Sequence, residues 1–276
     1  MKPSDLVLRG LVHYWRTNLA VIAGVATAVA VLAGALLVGD SVRGSLRDLV
    51  LQRLGRADRI VISTGFFREA LAAELKGDTG FTAAARDAAP IVVLQGLVTD
   101  QGTGRRASRV QVYGVDDRFW TFHGVGGRSG PAGRDAFVSR ALAADIGAAG
   151  GGTILVRVER PSAIPIESLH GQKEDSGRTI RLTVRAVLDR SEAGEFSIRP
   201  QQGGVRAVFV PLRLLQQDLE QPSRVNAVLI ADGSATTDGP LSRALAAVTK
   251  IEDFGLSLRP IESQHAIALE VAAGLL

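Results

Sequence analysis

The stretch that most constrains this chain is an uncharged run at residues 17–39, TNLAVIAGVATAVAVLAGALLVG. It is built almost wholly from Ala, Val, Leu, Ile and Gly. An α-helix rises about 1.5 Å per residue, so about 20 apolar residues cross a hydrocarbon core about 30 Å thick. A helix also satisfies its own backbone hydrogen-bonding groups, which lipid requires. The sequence therefore predicts a transmembrane helix over residues 17–39.

A cleaved signal peptide is the alternative interpretation of this run. The chain has a basic start, and AGA at 33–35 fits the small-x-small pattern of a cleavage site. The apolar run nevertheless continues through LLV at 36–38, beyond that site. The segment before the run also has the pattern of an ordered helix rather than of a short basic tail. These features favour the membrane anchor.

Residues 1–16 have the pattern of an amphipathic helix that lies along a membrane surface. Trp15 falls at the boundary of the apolar run, where aromatic residues commonly act as interface anchors. Lys2, Arg9 and Arg16 precede the run, and basic residues next to a span favour the cytoplasmic side. We therefore expect a cytoplasmic N-terminus in the inner membrane of a bacterial cell, with the main domain extracytoplasmic.

The helical pattern does not stop at the end of the apolar run. Val42, Leu46 and Leu49 continue an apolar stripe of helical spacing as far as Gly55, which is a typical helix C-cap. Residues 40–55 are therefore predicted to form a stalk that continues the membrane helix for three to four turns, and residues 56–261 to form the extracytoplasmic domain.

Strands and helices alternate irregularly in that domain, and hairpins outnumber βαβ units, which predicts an α+β fold. A polar, proline-bearing loop is expected at 160–177, and a boundary near 124–133 suggests two subdomains. The predicted strands are 59–63, 91–100, 107–115, 136–138, 153–159, 179–188, 205–210, 225–230 and 256–259. The predicted helices are 67–76, 116–122, 139–146, 212–219 and 241–249.

Residues 262–276 are predicted to be helical and become increasingly apolar towards Leu276. This pattern indicates a return stalk and the start of a second membrane span. We therefore expect the sequence to be a fragment of a longer membrane protein.

Charge and composition exclude several classes of function. The net charge is only +4, and basic and acidic residues are interspersed. Aromatic residues are scarce, and no basic run alternates with them as a base-stacking surface requires, so nucleic acid is not an expected partner. The sequence contains no cysteine, which excludes disulfides and thiolate metal sites.

No motif of nucleotide binding is complete. The chain has no GxxxxGK[ST] loop. The glycine-rich loop at 124–130 misses the dinucleotide-binding spacing, so a linker is favoured there over a phosphate site.

Catalytic and metal-binding motifs are also missing. The four histidines, His13, His123, His170 and His265, are isolated in the sequence, which argues against zinc. Neither Ser139 nor Ser191 lies in a GxSxG elbow, and Asp116-Asp117 suits a helix N-terminus. We predict no catalytic, cofactor-binding or metal-binding residues, and no enzymatic activity in this chain.

The order of segments and several local motifs resemble the MacB/FtsX-type permeases of ABC transporters. VYGVDDRF at 112–119 is similar to the family's hydrophobic-x-Gly-Val-Asp-x-x-Phe segment, and AFVSRALA at 136–143 with Gly147 is similar to a conserved helix of its periplasmic core domain. Further similar segments are TILV at 153–156, LTVRAVL at 182–188 and VFVPL at 208–212. Gly150-Gly151-Gly152 departs from the Gly-Asp of many relatives, and the later membrane spans are missing.

The resemblance implies a mechanical function. ATP hydrolysis on a partner ABC-type ATPase would move the stalk helices, and the extracytoplasmic domain would act on an envelope substrate for export or release. It also implies a second permease copy or a related permease chain, contact with membrane lipid, and an envelope partner protein. The alternative is a membrane-anchored extracytoplasmic sensor or binding module without a transport role.

Overall fold

The structure is a computed structural model, and it describes residues 10, 12–127, 129–159, 177–232, 238–261 and 266–271. The chain divides into two compact units, residues 1–51 and 52–276, and each is described by itself. Helix α1 (Trp15–Leu54) is 40 residues long, so the predicted helix continues through the stalk without interruption. Among the described residues, it is the one helix long and apolar enough to cross a membrane. Gly55 follows it with φ +63°, as expected of a C-cap.

The second unit contains ten strands and six further helices among its described residues. Its strands are β1 (Arg59–Arg68), β2 (Ala85–Asp100), β3 (Arg106–Val115), β4 (Asp135–Ser139), β5 (Thr153–Glu159), β6 (Gly177–Leu188), β7 (Ala207–Pro211), β8 (Arg224–Asp232), β9 (Leu256–Ile261) and β10 (Ala266–Val271). Its helices are α2 (Ala70–Gly77), α3 (Thr79–Ala84), α4 (Asp117–His123), α5 (Arg140–Ile146), α6 (Leu212–Asp218) and α7 (Asp238–Val248), with short 3-10 turns at Arg190–Glu192 and Ile251–Phe254.

Eight strands form one sheet in the order β1-β8-β2-β3-β7-β4-β6-β5, and β5 also pairs with β2. Strands β2, β3, β7, β4, β6 and β5 therefore close into a ring. The closure depends on the length of β2: residues 85–91 pair with β8, and residues 96–100 pair with β5 along the same edge. The opposite edge of β2 pairs with β3.

Asn226 satisfies the backbone of β2 where its partner changes from β8 to β5. The Asn226 side chain is buried, its Oδ1 accepts a hydrogen bond from Val93 N at 2.7 Å, and its Nδ2 donates to Val93 O at 2.8 Å. The amide thus replaces a strand neighbour. A buried backbone group without such a partner would be costly.

The sheet has a hydrophobic core on each face. On β3, Val110 and Val112 contribute to a first core that includes residues of α2, α3, α5, α6 and α7, whereas Tyr113 and Val115 contribute to a second core that includes α4. Alternate residues of a strand point to opposite faces, so both faces of β3 are buried over residues 110–115. The α+β prediction is confirmed. The expected division near residues 124–133 is not found, because residues 52–276 form one unit whose sheet includes strands from both sides of that loop.

The structure corrects the helix predicted from residue 262. Residues Ala266–Val271 form β10, which pairs antiparallel with β9. Ile267, Leu269 and Val271 are spaced by two residues, which is the period of a strand rather than of a helix. The structure does not describe residues 1–9, 11, 128, 160–176, 233–237, 262–265 and 272–276. Most of the predicted inner helix, nearly all of the expected loop at 160–177 and the end of the chain therefore lie outside the described residues. The second membrane span stays a prediction.

Candidate functional site at the end of helix α1

The last turn of α1 is held by the segment that follows β6, and both belong to the second unit. Arg53 is 7% exposed, and its guanidinium donates hydrogen bonds to the carbonyl oxygens of Gln201 and, at 2.7 Å, Gly203. The Arg190 guanidinium donates in turn to Oε1 of Gln52. Each of the two segments therefore donates hydrogen bonds to the other, and these bonds fix the helix end.

The backbone of α1 takes part in the same contact. The last four carbonyl groups of a helix have no partner within it. One of them, the carbonyl of Arg53, accepts a hydrogen bond from Ser197 N at 3.3 Å. A cation in the last turn also complements the negative end of the helix dipole. The hydrogen bond between Arg53 O and Ser197 N thus satisfies one free carbonyl group at the helix end, and it attaches the helix to the 190–203 segment.

Gly55 brings the chain directly against the ring of His123. A Cβ built on Gly55 would lie 2.7 Å from His123 Nδ1. The ring of His123 also packs against Phe119, Phe122 and Phe196, with centroid distances of 4.5, 5.1 and 5.1 Å. With aromatic rings around it, the imidazole has little room to move, so this approach needs glycine at position 55.

His123 is held in its neutral form. Burial, together with the positive charge of Arg56, lowers the pKa of His123 from 6.5 to about 4. Its Nε2 atom is buried and has no hydrogen-bond partner among the described residues. The Arg56 guanidinium lies over Gly124, where a Cβ would be 2.6 Å from Arg56 Cζ. The turn after α1 and the end of α4 are therefore packed against each other.

Aromatic rings extend from His123 into the second core. Tyr113 stacks on Phe209 with centroids 5.5 Å apart, and Phe119 meets Trp120 edge to face at 5.0 Å. Such pairs contribute about 0.5–1.5 kcal/mol each beyond their buried area. Burial also raises the pKa of Tyr113, which keeps its hydroxyl protonated. The end of α1 thus rests on a rigid part of the domain.

A second polar cluster fixes the segment between α7 and β9. Arg68, at the end of β1, donates to Asp253 from Nε at 3.0 Å and from Nη2 at 2.8 Å, and to Glu74 from Nη1 at 2.6 Å. The Asp253 side chain is only 4% exposed. This cluster ties β1 and α2 to the 3-10 turn that precedes β9.

The ionisation of the cluster follows from these hydrogen bonds. The hydrogen bonds that Arg68 donates to Asp253 and Glu74 raise the pKa of Arg68, and the bond from Arg68 lowers the pKa of Glu74. Burial alone would raise the pKa of Asp253, but hydrogen bonds from Arg68 and from the Lys250 backbone outweigh it, and the pKa is lowered. All three side chains are therefore charged at neutral pH.

The hydroxyl and carboxylate side chains considered from the sequence have structural roles. The Ser139 hydroxyl caps α5 and also accepts from Ala207 N at 3.0 Å. Asp116 caps α4, and Asp117 Oδ1 accepts from Gly130 N at 2.7 Å, which fixes the glycine-rich loop. Ser191 lies in the 3-10 turn Arg190–Glu192. The structure does not bring them together into one site.

The structure describes two of the four histidines. His13 is exposed beside Tyr14 in the first unit, and His123 lies in the second. His170 and His265 lie outside the described residues. Within the described ranges, no group of three or more His, Asp or Glu side chains is placed to hold a metal ion.

Sequence analysis missed the contact made by Arg53. The signal available was an arginine in the last turn of an apolar stripe, two residues before the C-cap glycine. Its partners Gln201 and Gly203 are 148 and 150 residues away, in a glycine-rich connection without a recognisable pattern.

Comparisons with known proteins agree with the resemblance found in the motifs. Residues 19–245 match the family model of the MacB-like periplasmic core domain. The chain is similar to the periplasmic region of MacB from Actinobacillus actinomycetemcomitans (10% identity, TM-score 0.41, 77% of this chain and 87% of that one). It is also similar to the extracellular domain of the noncanonical ABC-type transporter YknZ from Gram-positive bacteria (13% identity, TM-score 0.42, 74% and 89%). No curated protein sequence matches. The match over residues 19–245 shows that the chain belongs to the MacB-like periplasmic core domain family, which is found in MacB/FtsX-type ABC transporter permeases.

Proposed function

We propose that this chain is the membrane subunit, or part of it, that couples ATP hydrolysis by a partner ABC-type ATPase to movement of an extracytoplasmic domain. In this proposal α1 crosses the inner membrane with its N-terminus in the cytoplasm. The domain then acts on a substrate in the cell envelope, for export or release. The observation that carries the proposal is the attachment of the α1 end to the 190–203 segment through Arg53.

Mechanical coupling requires a stiff connection between the moving helix and the domain. A helix that ends in a free glycine linker would lose displacement in that linker. Gly55 is instead packed against His123, and the residue two positions before it donates two charged hydrogen bonds to the domain. Hydrogen bonds to charged groups contribute about 1.5–3 kcal/mol each. The end of α1 is built to carry load into the domain.

The Arg68–Asp253 cluster supports the same proposal at the other end of the domain. Asp253 lies three residues before β9, in the part of the chain that leads towards residue 276. With both ends of the domain fastened to its sheet, a displacement of either end would move the domain as a body. ATP itself would be bound by a partner nucleotide-binding domain, since residues 1–276 contain no P-loop.

The test uses the full-length protein, purified from membranes in detergent together with any ATPase that accompanies it. Arg47 is exposed on α1, so Arg47→Pro interrupts the helix without removing a buried contact, and Arg47→Ala is the matched control. We expect an ATPase to co-purify, and its turnover to change in Arg47→Pro but not in Arg47→Ala. A protein recovered alone, or turnover indifferent to the proline, would favour a tethered sensor or binding module instead.

A further inference from the structure

We propose that one outward face of the strand ring is a docking surface for an acidic protein partner. We name it the arginine face. It is formed by outward-pointing residues of β3, β2, β5 and β6, namely Leu97, Thr99, Arg106, Thr153, Leu155, Arg157, Thr179, Arg181, Thr183 and Arg185.

The strand register places these residues in rows across the sheet. Thr99 pairs with Arg106 on one side and with Leu155 on the other, and Leu155 pairs with Arg181. Neighbouring strands are about 4.8 Å apart, so Arg106 and Arg181 lie about 14 Å apart at the two ends of one row. Arg157 lies in the adjacent row, opposite Leu97.

The alternate residues of the same strands fix the outward direction. Val98, Val156 and Leu182 are buried in the first core. Because successive side chains of a strand point to opposite faces, their neighbours point away from that core. Arg106, Arg157, Arg181 and Arg185 are all exposed, whereas Leu97 and Leu155 between them are half-buried. The result is a sheet surface with cationic groups at its margins and small or aliphatic groups at its centre.

Three of the four arginines on this face form no ion pair with the described part of the chain. No ion pair involves Arg106, Arg181 or Arg185 there, and Arg157 lies against Gly177, where a Cβ would be 2.5 Å from its Nε. Among the described residues, the carboxylates on this face are Glu159, the last residue of β5, and Asp135 of β4, which pairs with Thr183.

Several arginines elsewhere on the domain have acidic partners. Arg118 pairs with Glu69 and Asp116, Arg140 with Asp189, and Arg206 with Asp145. Arg106, Arg181 and Arg185 have no such partner among the described residues, and they lie together on one face of the sheet. This clustering of cations points to a partner that supplies the carboxylates.

The composition of the face favours a protein over a lipid surface. The guanidinium group of arginine binds carboxylates through two parallel hydrogen bonds, and arginine is enriched in protein interfaces. Threonine hydroxyls and half-buried leucines between the cations suit the mixed contacts of such an interface. Membrane-surface sites bury Trp, Phe or Leu side chains, and the described residues of this face include no aromatic ring and no protruding leucine. This inference does not depend on coupling to an ATPase.

The test measures binding of fluorescently labelled poly-L-glutamate to the full chain in neutral detergent by fluorescence anisotropy. The variant Arg106→Gln/Arg181→Gln/Arg185→Gln removes three charges from the face. The control Arg86→Gln/Arg213→Gln/Arg243→Gln removes three charges from exposed positions elsewhere. We expect salt-sensitive binding by the wild type, about tenfold weaker binding by the face variant, and a change of less than about threefold in the control.

Vesicles of phosphatidylglycerol, offered to the chain in zwitterionic nanodiscs, separate the two kinds of partner. The proposal predicts that the face variant binds these vesicles as the control does. It is overturned if the wild type does not bind poly-L-glutamate, if both triple variants weaken its binding equally, or if the face variant loses vesicle binding alone. Thermal unfolding midpoints within a few degrees of the wild type show that both variants are folded.

Discussion

Gly55 and His123 meet so closely that the Cβ of any other residue at position 55 would lie 2.7 Å from the imidazole Nδ1. Gly55 also has φ +63°, a backbone conformation that L-residues disfavour. The glycine that ends α1 is therefore required twice, once by its backbone and once by its neighbour. This contact sets the direction in which the chain leaves the helix.

Gly55→Ala separates these two requirements when it is compared with Gly104→Ala. Gly104 has φ +68° in open space, so its replacement adds only backbone strain of about 1 kcal/mol. Gly55→Ala adds a clash with a ring enclosed by aromatic residues. We therefore expect it to lower the free energy of unfolding by roughly 1–2 kcal/mol more than Gly104→Ala does. Urea unfolding of the full chain in detergent, followed by the fluorescence of buried Trp120 in a Trp15→Phe background, measures both. Equal losses would show that His123 does not confine position 55.

The stability of the domain should fall as the pH is lowered through the range in which free histidine titrates. The pKa of His123 is about 4 in the folded chain and 6.5 ordinarily, so the unfolded chain binds the extra proton first. The stability from neutral His123 is complete above pH 6.5 and is lost towards pH 4. Between pH 7 and pH 5 we expect a loss of about 2 kcal/mol.

His123→Leu is the control for this pH dependence. It removes the titrating group, so the loss between pH 7 and pH 5 should largely disappear. Glu74 and Asp253, whose pKa values are lowered, remain ionised in this interval and contribute little to the slope. An unchanged slope in His123→Leu would assign the effect to other groups.

Removal of Arg68 should destabilise the domain strongly. Arg68→Met leaves the buried carboxylate of Asp253 without its cation, which costs about 3 kcal/mol or more. Lys76→Met is the matched control, because Lys76 and Asp87 form a pair at 2.7 Å whose side chains are 50% and 32% exposed, and we expect it to cost less than about 1 kcal/mol. Arg68→Met/Asp253→Leu should recover part of the stability. A double variant as unstable as the single one would show that the charge of Asp253 is not the cause.

Substitution of Asn226 tests its role at the point where the partner of β2 changes from β8 to β5. Asn226→Leu keeps the approximate volume but leaves Val93 N and Val93 O without partners, and we expect a loss of about 2–4 kcal/mol. Gln95→Leu, an exposed change on the same strand, should alter the free energy of unfolding by about 0.5 kcal/mol or less. Hydrogen exchange of the Val93 amide gives a direct readout, since its protection should fall in Asn226→Leu. Unchanged protection would rule out the proposed role of Asn226.

Local patterns predicted the parts of this fold whose signals are local. The uncharged run and the stripe that follows it predicted α1 up to Gly55, and alternation predicted β5 with the observed bounds Thr153–Glu159. The same patterns do not show which strands pair. The closure of β5 onto β2 depends on a 16-residue strand that changes partner at Asn226, and no periodicity encodes that change.

The candidate site was less predictable than the fold for the same reason. Arg53, Ser197 and Gly203 meet across most of the length of the chain, and two of the contacts use backbone groups, which leave no mark in the sequence. At residues 266–271, by contrast, the local signal is present. The apolar residues 267, 269 and 271 have the period of a strand, and the helix predicted there is wrong.

If force passes from α1 into the domain through Arg53, the movement of the domain during ATP hydrolysis should depend on that residue. The chain has no cysteine, so Gln217→Cys, exposed on α6, places a single donor fluorophore on the domain. The full-length permease and its ATPase are reconstituted in nanodiscs with acceptor-labelled lipid, and energy transfer is followed during ATP hydrolysis. We predict an ATP-dependent change in transfer in the wild type and in the exposed control Arg47→Met. In Arg53→Met that change should be lost while ATP hydrolysis continues. An ATP-dependent change in energy transfer as large in Arg53→Met as in the wild type, or no change in the wild type, would contradict force transfer through Arg53.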